Sequence, residues 1–591
     1  MNVVVSRIRK KKVHVRSFST VIFIIFFAQF YKAQSVLDFY SNWDTLKAGF
    51  KGSGELNKVD LLPPFAMSSF SYASNSPFLF SPFQFANSGA RPITSLNHIG
   101  PMRYTSLPHV SFAYAFGSSG FQFSKVQYSQ AFPKGLVLNL DFLNNQSAGI
   151  LRNSGYQDRD VLLRISKKTK KVHSLFSAQF DNRTLEWNGG IANDSLPLDF
   201  GLDLIPVLKS DAKSVSKEVK IRLLNKLAFK KDSLQDFGLY FSNVFVSQNR
   251  VYTETGDLAS IYSMINFDST DTRDHLQIST IENELGTYWN RGNWNANVGI
   301  NQRFWNFRNN QIYRDTLEIS FVEAIGFKSK SVVFNQVFDY FFLGKSSSWS
   351  NKINAKLYVD RWTFGANWSV ENTLPELIQR HYSANNLYYQ LQQYQLQFKN
   401  SIGFSTNYRI GKQTLGLKAD YLLIKNPYFF DGQIWKNDLF SLIQLIKLDC
   451  SIDYNWKGVT FSPVYSLLIQ PSNLMFYPTH MLKARIGLKG GVFKNKKLSS
   501  FIGIEPQWIG YYRRMSMLPV LDVFLVNQLT NKQPGFFDLA FYTGFEVKGF
   551  RFFARAENIG YFWNSHMIQT VKGYPIPPMQ IRLGITWDFW N

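Results

Sequence analysis

The chain has 591 residues, 65 Lys and Arg against 41 Asp and Glu for a net charge of +24, 17% aromatic residues, 45% apolar residues in all and 18% charged residues. That balance is too apolar for a disordered chain and too polar for a bundle of membrane-spanning helices. The single cysteine, Cys450, excludes an intramolecular disulfide framework, a Cys-rich zinc site and a relay between two thiols.

Residues 1–33 join a basic run (Arg7, Arg9, Lys10, Lys11, Lys12, Arg16) to a short apolar run from Val21 to Phe27 and end on Tyr31-Lys32-Ala33. This is the layout of a secretory signal peptide, with cleavage expected after Ala33. A spanning helix needs about 20 apolar residues, and Gln29 and Lys32 interrupt the run well before that. The basic start therefore reads as a targeting signal and not as a nucleic-acid arm. Its seven basic and no acidic residues leave a mature chain of net charge +17.

Residues 34–100 are rich in Ser, Pro, Asn and Phe, as in Leu61-Leu62-Pro63-Pro64 and Ser76-Pro77-Phe78-Leu79-Phe80-Ser81-Pro82. Proline at that density opposes a central strand. The stretch is expected to be an irregular periplasmic lead-in or a partial lumen plug, outside the closed wall.

From residue 101 to 591 the pattern changes to period-two alternation. In Val110, Phe112, Tyr114 and Phe116 the apolar side alternates with Ser111, Ala113 and Ala115. Ile353, Ala355, Leu357 and Val359 oppose Lys352, Asn354, Lys356 and Tyr358; Leu415, Leu417, Ala419 and Tyr421 oppose Thr414, Lys418 and Asp420. Between Phe440 and Trp456 the even positions are apolar apart from Gln444, and the odd ones include Lys447, Asp449, Ser451 and Asp453, with Ile443 and Leu445 blurring the start. Leu482, Ala484, Ile486 and Leu488 oppose Lys483, Arg485 and Lys489. Phe537, Leu539, Phe541 and Phe545 oppose Asp538, Tyr542 and Glu546; Ile581, Leu583, Ile585, Trp587 and Phe589 oppose Arg582, Gly584, Thr586 and Asp588. A strand sorts residues onto two sides in this way, whereas a helix would scatter them.

No later window offers 18 uninterrupted apolar residues, so a membrane-embedded chain must be a closed barrel. A soluble sandwich also alternates, but the export signal, the aromatic excess and the lack of an interior linker favour an all-β, transmembrane antiparallel β-barrel of the outer membrane. At about 25 to 30 residues per strand and connection, roughly 16–20 strands are expected. That size leaves an aqueous lumen, and it leaves little room for the plug and 22 strands of a TonB-dependent transporter. Aromatic groups such as Tyr428-Phe429-Phe430, and Trp508 with Tyr511-Tyr512, suit girdles at the membrane interface.

Several short motifs then fall in an ordered series: Arg103-Tyr104, Pro108, Tyr114, Gln127, Gln130 and Asn139; Glu186-Trp187-Asn188-Gly189-Gly190-Ile191; Thr272-Arg273-Asp274-His275 with Asn283; His381-Tyr382-Ser383-Ala384-Asn385-Asn386; Phe552 to Asn558; and Tyr574-Pro575-Ile576-Pro577 before Gly584-Ile585-Thr586-Trp587-Asp588-Phe589. In these the chain resembles the putative porin family of Bacteroidetes, outer-membrane β-barrels. The final Trp590-Asn591 departs from the terminal aromatic residue of many such barrels. The resemblance implies a barrel and names no solute.

Catalytic signals are weak. The eight histidines form no pair at ligand spacing, and neither a Gly-x-Ser-x-Gly elbow nor a phosphate-binding loop occurs. The reading is a non-enzyme with no metal and no cofactor. Cys450, between Leu448 and Ile452, is expected to be a small lipid-facing residue. Charge facing lipid costs about 2–4 kcal/mol for Arg or Lys at the midplane, so the charged positions should line the lumen: Arg551, Arg555, Glu557, Arg582, Asp588, Lys483, Arg485, Lys447, Asp449, Lys418 and Asp420. Such a wall suits passive diffusion of small hydrophilic solutes with a weak anion preference, unless the cations pair with carboxylates across neighbouring strands. The alternative is a plugged barrel serving binding, secretion, surface attachment or uptake of hydrophobic molecules. The expected partners are outer-membrane lipid, small solutes and the barrel-assembly machinery, with no nucleic acid.

Overall fold

The computed structural model describes residues 102–590 except 194–200, 232–234, 345–347, 376, 392, 431–433, 438–441, 471–477, 493–497, 515, 522, 526–531 and 564–567. The expected signal peptide, residues 1–33, and the expected lead-in or plug, residues 34–100, lie outside the described residues.

Twenty-two strands form one sheet, each antiparallel to the next in the chain, and the last, Gln580–Trp590, pairs with the first, His109–Gly117, so the sheet closes on itself. The barrel expected from alternation is therefore present, with more strands than the 16–20 expected. The difference lies in the connections. At the end where both the first and the last strand have their chain ends, ten connections join the strands, nine of two or three residues and one, 492–498, of seven. Lys457-Gly458 and Lys548-Gly549 are two-residue turns with positive φ at both positions (45° and 92°, 42° and 86°), the twist that matches a hairpin. The opposite end carries the long connections 188–211, 374–396, 510–535 and 558–579. Short turns mark the periplasmic side of such barrels and long loops the outside.

The apolar stripes face outward. Leu415, Leu417, Ile446, Leu448, Ile452, Leu482, Ile486, Leu488, Phe537, Ile581 and Trp587 are all exposed large apolar side chains, as a lipid-facing belt requires, and Cys450 is exposed among them. Three successive strands, Ala212–Lys231, Gln235–Thr255 and Asp271–Arg291, run to 20, 21 and 21 residues, about twice what a bilayer needs. Along the last of these the outward side passes from Leu285 and Ile281 to Gln277, His275 and Arg273, so it projects beyond the belt and raises the barrel mouth above the membrane.

Ile443 and Leu445 break the outward pattern because they point inward and are fully covered, at 0% and 3% exposure. What covers them is part of the mouth, described below. At the other end Met102 to Thr105 lies on the inner wall: Asn139 Oδ1 accepts the Arg103 N–H at 2.7 Å, the Ala131 N–H donates to the Thr105 carbonyl at 2.8 Å, and Met102 packs with Val137, Leu175 and Leu224.

The lipid-facing assignment predicts that Ile446→Arg or Leu583→Arg costs about 2–4 kcal/mol and impairs folding into vesicles, while Ser451→Arg, on the inner side, is tolerated. Heat-modifiable gel mobility reads the folded fraction, and equal tolerance at the three positions would overturn the assignment.

Candidate functional site: a closed mouth above a charged lumen

The motif Glu186-Trp187-Asn188-Gly189-Gly190-Ile191 ends the strand Val172–Trp187 and turns over the barrel rim. Trp187 is fully buried and its indole donates to Ser214 Oγ at 3.2 Å. Asn188 Oδ1 accepts the Gly190 N–H at 2.9 Å, and Gly189 and Gly190 both hold positive φ, 69° and 94°. This brings the Ile191 N–H to the Gly573 carbonyl at 2.8 Å. A side chain on Gly190 would meet the Gly573 backbone at 3.0 Å, so only glycine permits both the conformation and the approach. Loops 188–211 and 558–579, which leave the wall at separate places, are joined here.

A second junction uses Thr272 to His275 and His381 to Asn386. The hairpin His381–Ala384 and Leu387–Gln390 folds within loop 374–396. Asn385 at its tip is buried. Its Oδ1 accepts the N–H groups of Phe267 and Asp268 at 2.9 Å each, its Nδ2 donates to the Asp268 carbonyl at 2.7 Å and Thr272 Oγ1 at 2.9 Å, and its own N–H donates to Asp274 Oδ1 at 2.8 Å. One side chain thus fastens loop 374–396 to loop 256–270 and the strand top beside it. The Tyr382 hydroxyl then donates to the Val520 carbonyl at 3.1 Å, and Arg250, on the wall, donates to the carbonyls of Val520 and Pro519 at 2.7 and 2.8 Å.

These fastenings surround one apolar core. Loop residues Tyr382, Tyr389, Phe430, Trp435, Val520 and Val571 are buried together with inward wall residues from Tyr156 and Trp187 through Trp305 and Phe307 to Ile424, Ile443 and Leu468. The cluster spans wall strands from Tyr156–Lys168 to Val459–Ile469, so the loops fill the mouth. Tyr428 and Phe430 belong to this core and Tyr512 to a separate buried cluster with Ile509, Phe536 and Ile568, not to a membrane girdle, a correction to the sequence expectation, while Trp508 and Tyr511 are exposed. The aromatic excess thus serves two places, the belt and the mouth.

His381 sits at the base of the hairpin with Nδ1 buried and unmet. Burial, then the charges of Arg380 and Arg314, hold its imidazole down at about 4. Because the folded value lies below the ordinary 6.5, the opened hairpin binds a proton that the closed one refuses, and the closed mouth loses stability as pH falls from about 6.5 to 4. Acidification through that window should raise hydrogen exchange at 381–390, and His381→Gln should remove the dependence; a pH-independent wild type would count against it.

Below the mouth, the charged positions fall into paired groups. Arg485 Nε donates to Glu505 at 2.7 Å, Arg555 reaches the other Glu505 oxygen at 2.6 Å and also Glu557, and Glu557 is shared with Arg582, which is 1% exposed. Arg551 and Lys489 share Glu546 at 2.8 and 3.0 Å, and Arg103 and Arg164 share Asp141. Four carboxylates, Glu505, Glu557, Glu546 and Asp141, are thus each held between two cations. Lys447 pairs with Asp449 at 2.9 Å and Lys418 with Asp420. Asp588 lies 3.6 Å from His109 near the periplasmic end. Lys483 makes no ion pair among the described residues. Elsewhere on the wall Arg303 stands between Glu282 and Glu318 at 3.0 and 3.6 Å. The sequence alternation marked which residues share the inner side; it carried no sign of Glu505, Arg303 or Arg250, because partner choice depends on register between strands.

A closed wall of antiparallel strands with an apolar outer belt, short turns at one end and charge within defines an outer-membrane β-barrel. The chain belongs to the putative porin family, whose model matches residues 97–591. No curated protein matches it. Among solved structures it is similar to the FrpB iron transporter of Neisseria meningitidis (F3-3 variant), at 11% identity, 82% of each chain and a TM-score of 0.59. It is also similar to the siderophore receptor PirA of Acinetobacter baumannii, at 10% identity, 82% of this chain and 81% of that one, TM-score 0.59. The ferric-catecholate import receptor Fiu of E. coli K12 matches at 12% identity, 83% of each chain, TM-score 0.55. At these identities the likeness is one of fold. The expectation that the chain has little room for a plug together with 22 strands is overturned as to the strands, since the wall has 22.

Proposed function

We propose that the barrel is an outer-membrane passage for small hydrophilic solutes, closed at rest by its own loops and opened when they move aside. The observation that carries this reading is the mouth core, in which hairpins from separate loops are buried against inward wall residues. A general diffusion pore would have left those wall positions polar and wet. The charged wall beneath suits polar cargo, and the family supports a role in passage. This is transport without catalysis, in contact with lipid, solute and, during biogenesis, the assembly machinery.

The alternative of a binding barrel draws on the likeness to iron and siderophore receptors. Both readings share the closed mouth and differ in whether solute binding opens it.

In planar bilayers the full mature protein should be closed with brief openings, and deletion of 381–390 should give a steady conductance. A wild type with steady ohmic conductance equal to that of the deletion would overturn the closed mouth.

A further inference from the structure

The lipid-facing belt is not apolar all round. On Leu415, Leu417, Ile446, Leu448, Ile486 and Leu488 one side of the barrel offers lipid hydrocarbon, interrupted on those strands by the isolated amide of Gln444. On the other side, Asn243, Asn283 and Gln302 occupy one register row of three adjacent strands, facing outward. Asn243 Nδ2 donates to Asn283 Oδ1 at 2.5 Å. The rows above and below are apolar: Phe245, Ile281 and Phe304 on one side, Phe241, Leu285 and Ile300 on the other. Glu323 stands on the next strand on the same outward side, opposite Val298 and Phe338 and between Phe321 and Ile325. Gln336 and Asn351 continue the series on the following two strands, both buried, each with a carbonyl oxygen that no donor meets.

Amides and a carboxylate within a hydrocarbon belt are unfavourable unless hydrogen-bonded, and an ionisable side chain there marks a functional contact. We propose that this surface, across Gln235–Thr255, Asp271–Arg291, Trp294–Asn309 and Tyr313–Lys328, is where two copies of the chain meet in the membrane. Primary amides donate and accept alike, so the row is complementary to itself. On a twofold axis through the strand of Gln302, the Glu323 side of one copy faces the Asn243 and Asn283 side of the other, and amide N–H groups meet the carboxylate. A differently charged partner would instead require a fixed array of donors or acceptors, which this row does not present.

Oxidative cross-linking of the full mature chain in outer-membrane vesicles tests the contact. Cys450→Ser with Gln302→Cys should give a disulfide-linked dimer, whereas the wild type, whose only thiol lies seven wall strands away, outside the proposed contact, should stay monomeric. Adding Asn283→Leu and Glu323→Leu should lower the dimer yield by about tenfold, with heat-modifiable mobility confirming that each variant is folded. Gln302→Cys cross-linking no better than Cys450, or dimer yield unchanged by the leucine pair, would overturn the proposal.

Discussion

Asn385→Ala should open the mouth while leaving the barrel intact. The side chain is 2% exposed and makes five hydrogen bonds, two accepted from Phe267 and Asp268 and three donated, to the Asp268 carbonyl, to Thr272 and, at 3.4 Å, to the Asp271 carbonyl. Each such bond is worth about 0.5–1.5 kcal/mol, and a buried group stranded by truncation costs about 1–3 kcal/mol. Losing the set should weaken the junction by roughly 3–5 kcal/mol, which is hundreds-fold or more in the closed-to-open ratio. The wall should not respond, because its ladders run independently of the loops. The expected readout is loss of hydrogen-exchange protection confined to 256–270 and 381–390, with a rise in channel open time. Asn385→Asp should be as disruptive, since a carboxylate would face Asp268 and Asp274 and lose the donating half. Retained protection in both variants would show that the apolar core alone holds the mouth.

The two halves of this molecule differ in how far the sequence discloses them. The wall is legible because a strand has a strict period of two and a barrel has only two sides, so Ile446, Leu448 and Ile452 declare lipid and Lys447, Asp449 and Ser451 declare the lumen. Ile443 and Leu445 blur the pattern for a physical reason: lumen positions beneath the mouth are buried by loop hairpins, so both sides of the strand are apolar there. Strand number was underestimated because two-residue turns such as Lys457-Gly458 carry no composition signal of their own beyond the glycine. The mouth was hidden more deeply. Glu186 to Ile191, Thr272 to His275 and His381 to Asn386 stand out as an ordered series, yet nothing local says that Gly190 touches Gly573 or that Asn385 reaches Asp268. Those contacts join loops about 120 to 380 residues apart, and their partners are set by closure of the sheet. The same limit applies to the charges: alternation places Arg555 inward, and only register gives it Glu505 and Glu557.

That pairing changes what selectivity to expect. A chain of net charge +24 with Arg551, Arg555, Arg582, Lys483 and Arg485 on its inner side suggests an anion preference, but each Glu between two Arg cancels much of the field that a passing ion would meet. Salt with a Debye length of about 8 Å screens the remainder across a wide lumen. In the 381–390 deletion, where current can be read, the otherwise unaltered lumen should therefore be close to unselective. Replacing Glu505 and Glu557 together by Gln should leave Arg485, Arg555 and Arg582 uncompensated and move the reversal potential toward anions. The same pair of changes should destabilise the wall, because Arg582 is buried and removing one member of a buried ion pair costs about 3–5 kcal/mol; vesicle refolding yield reports that loss separately from the current. Arg555→Gln should act in the opposite sense, freeing part of Glu505 and Glu557 and tilting the lumen toward cations. Reversal potentials that stay fixed in both variants would show that these side chains compensate one another structurally without facing the permeation path.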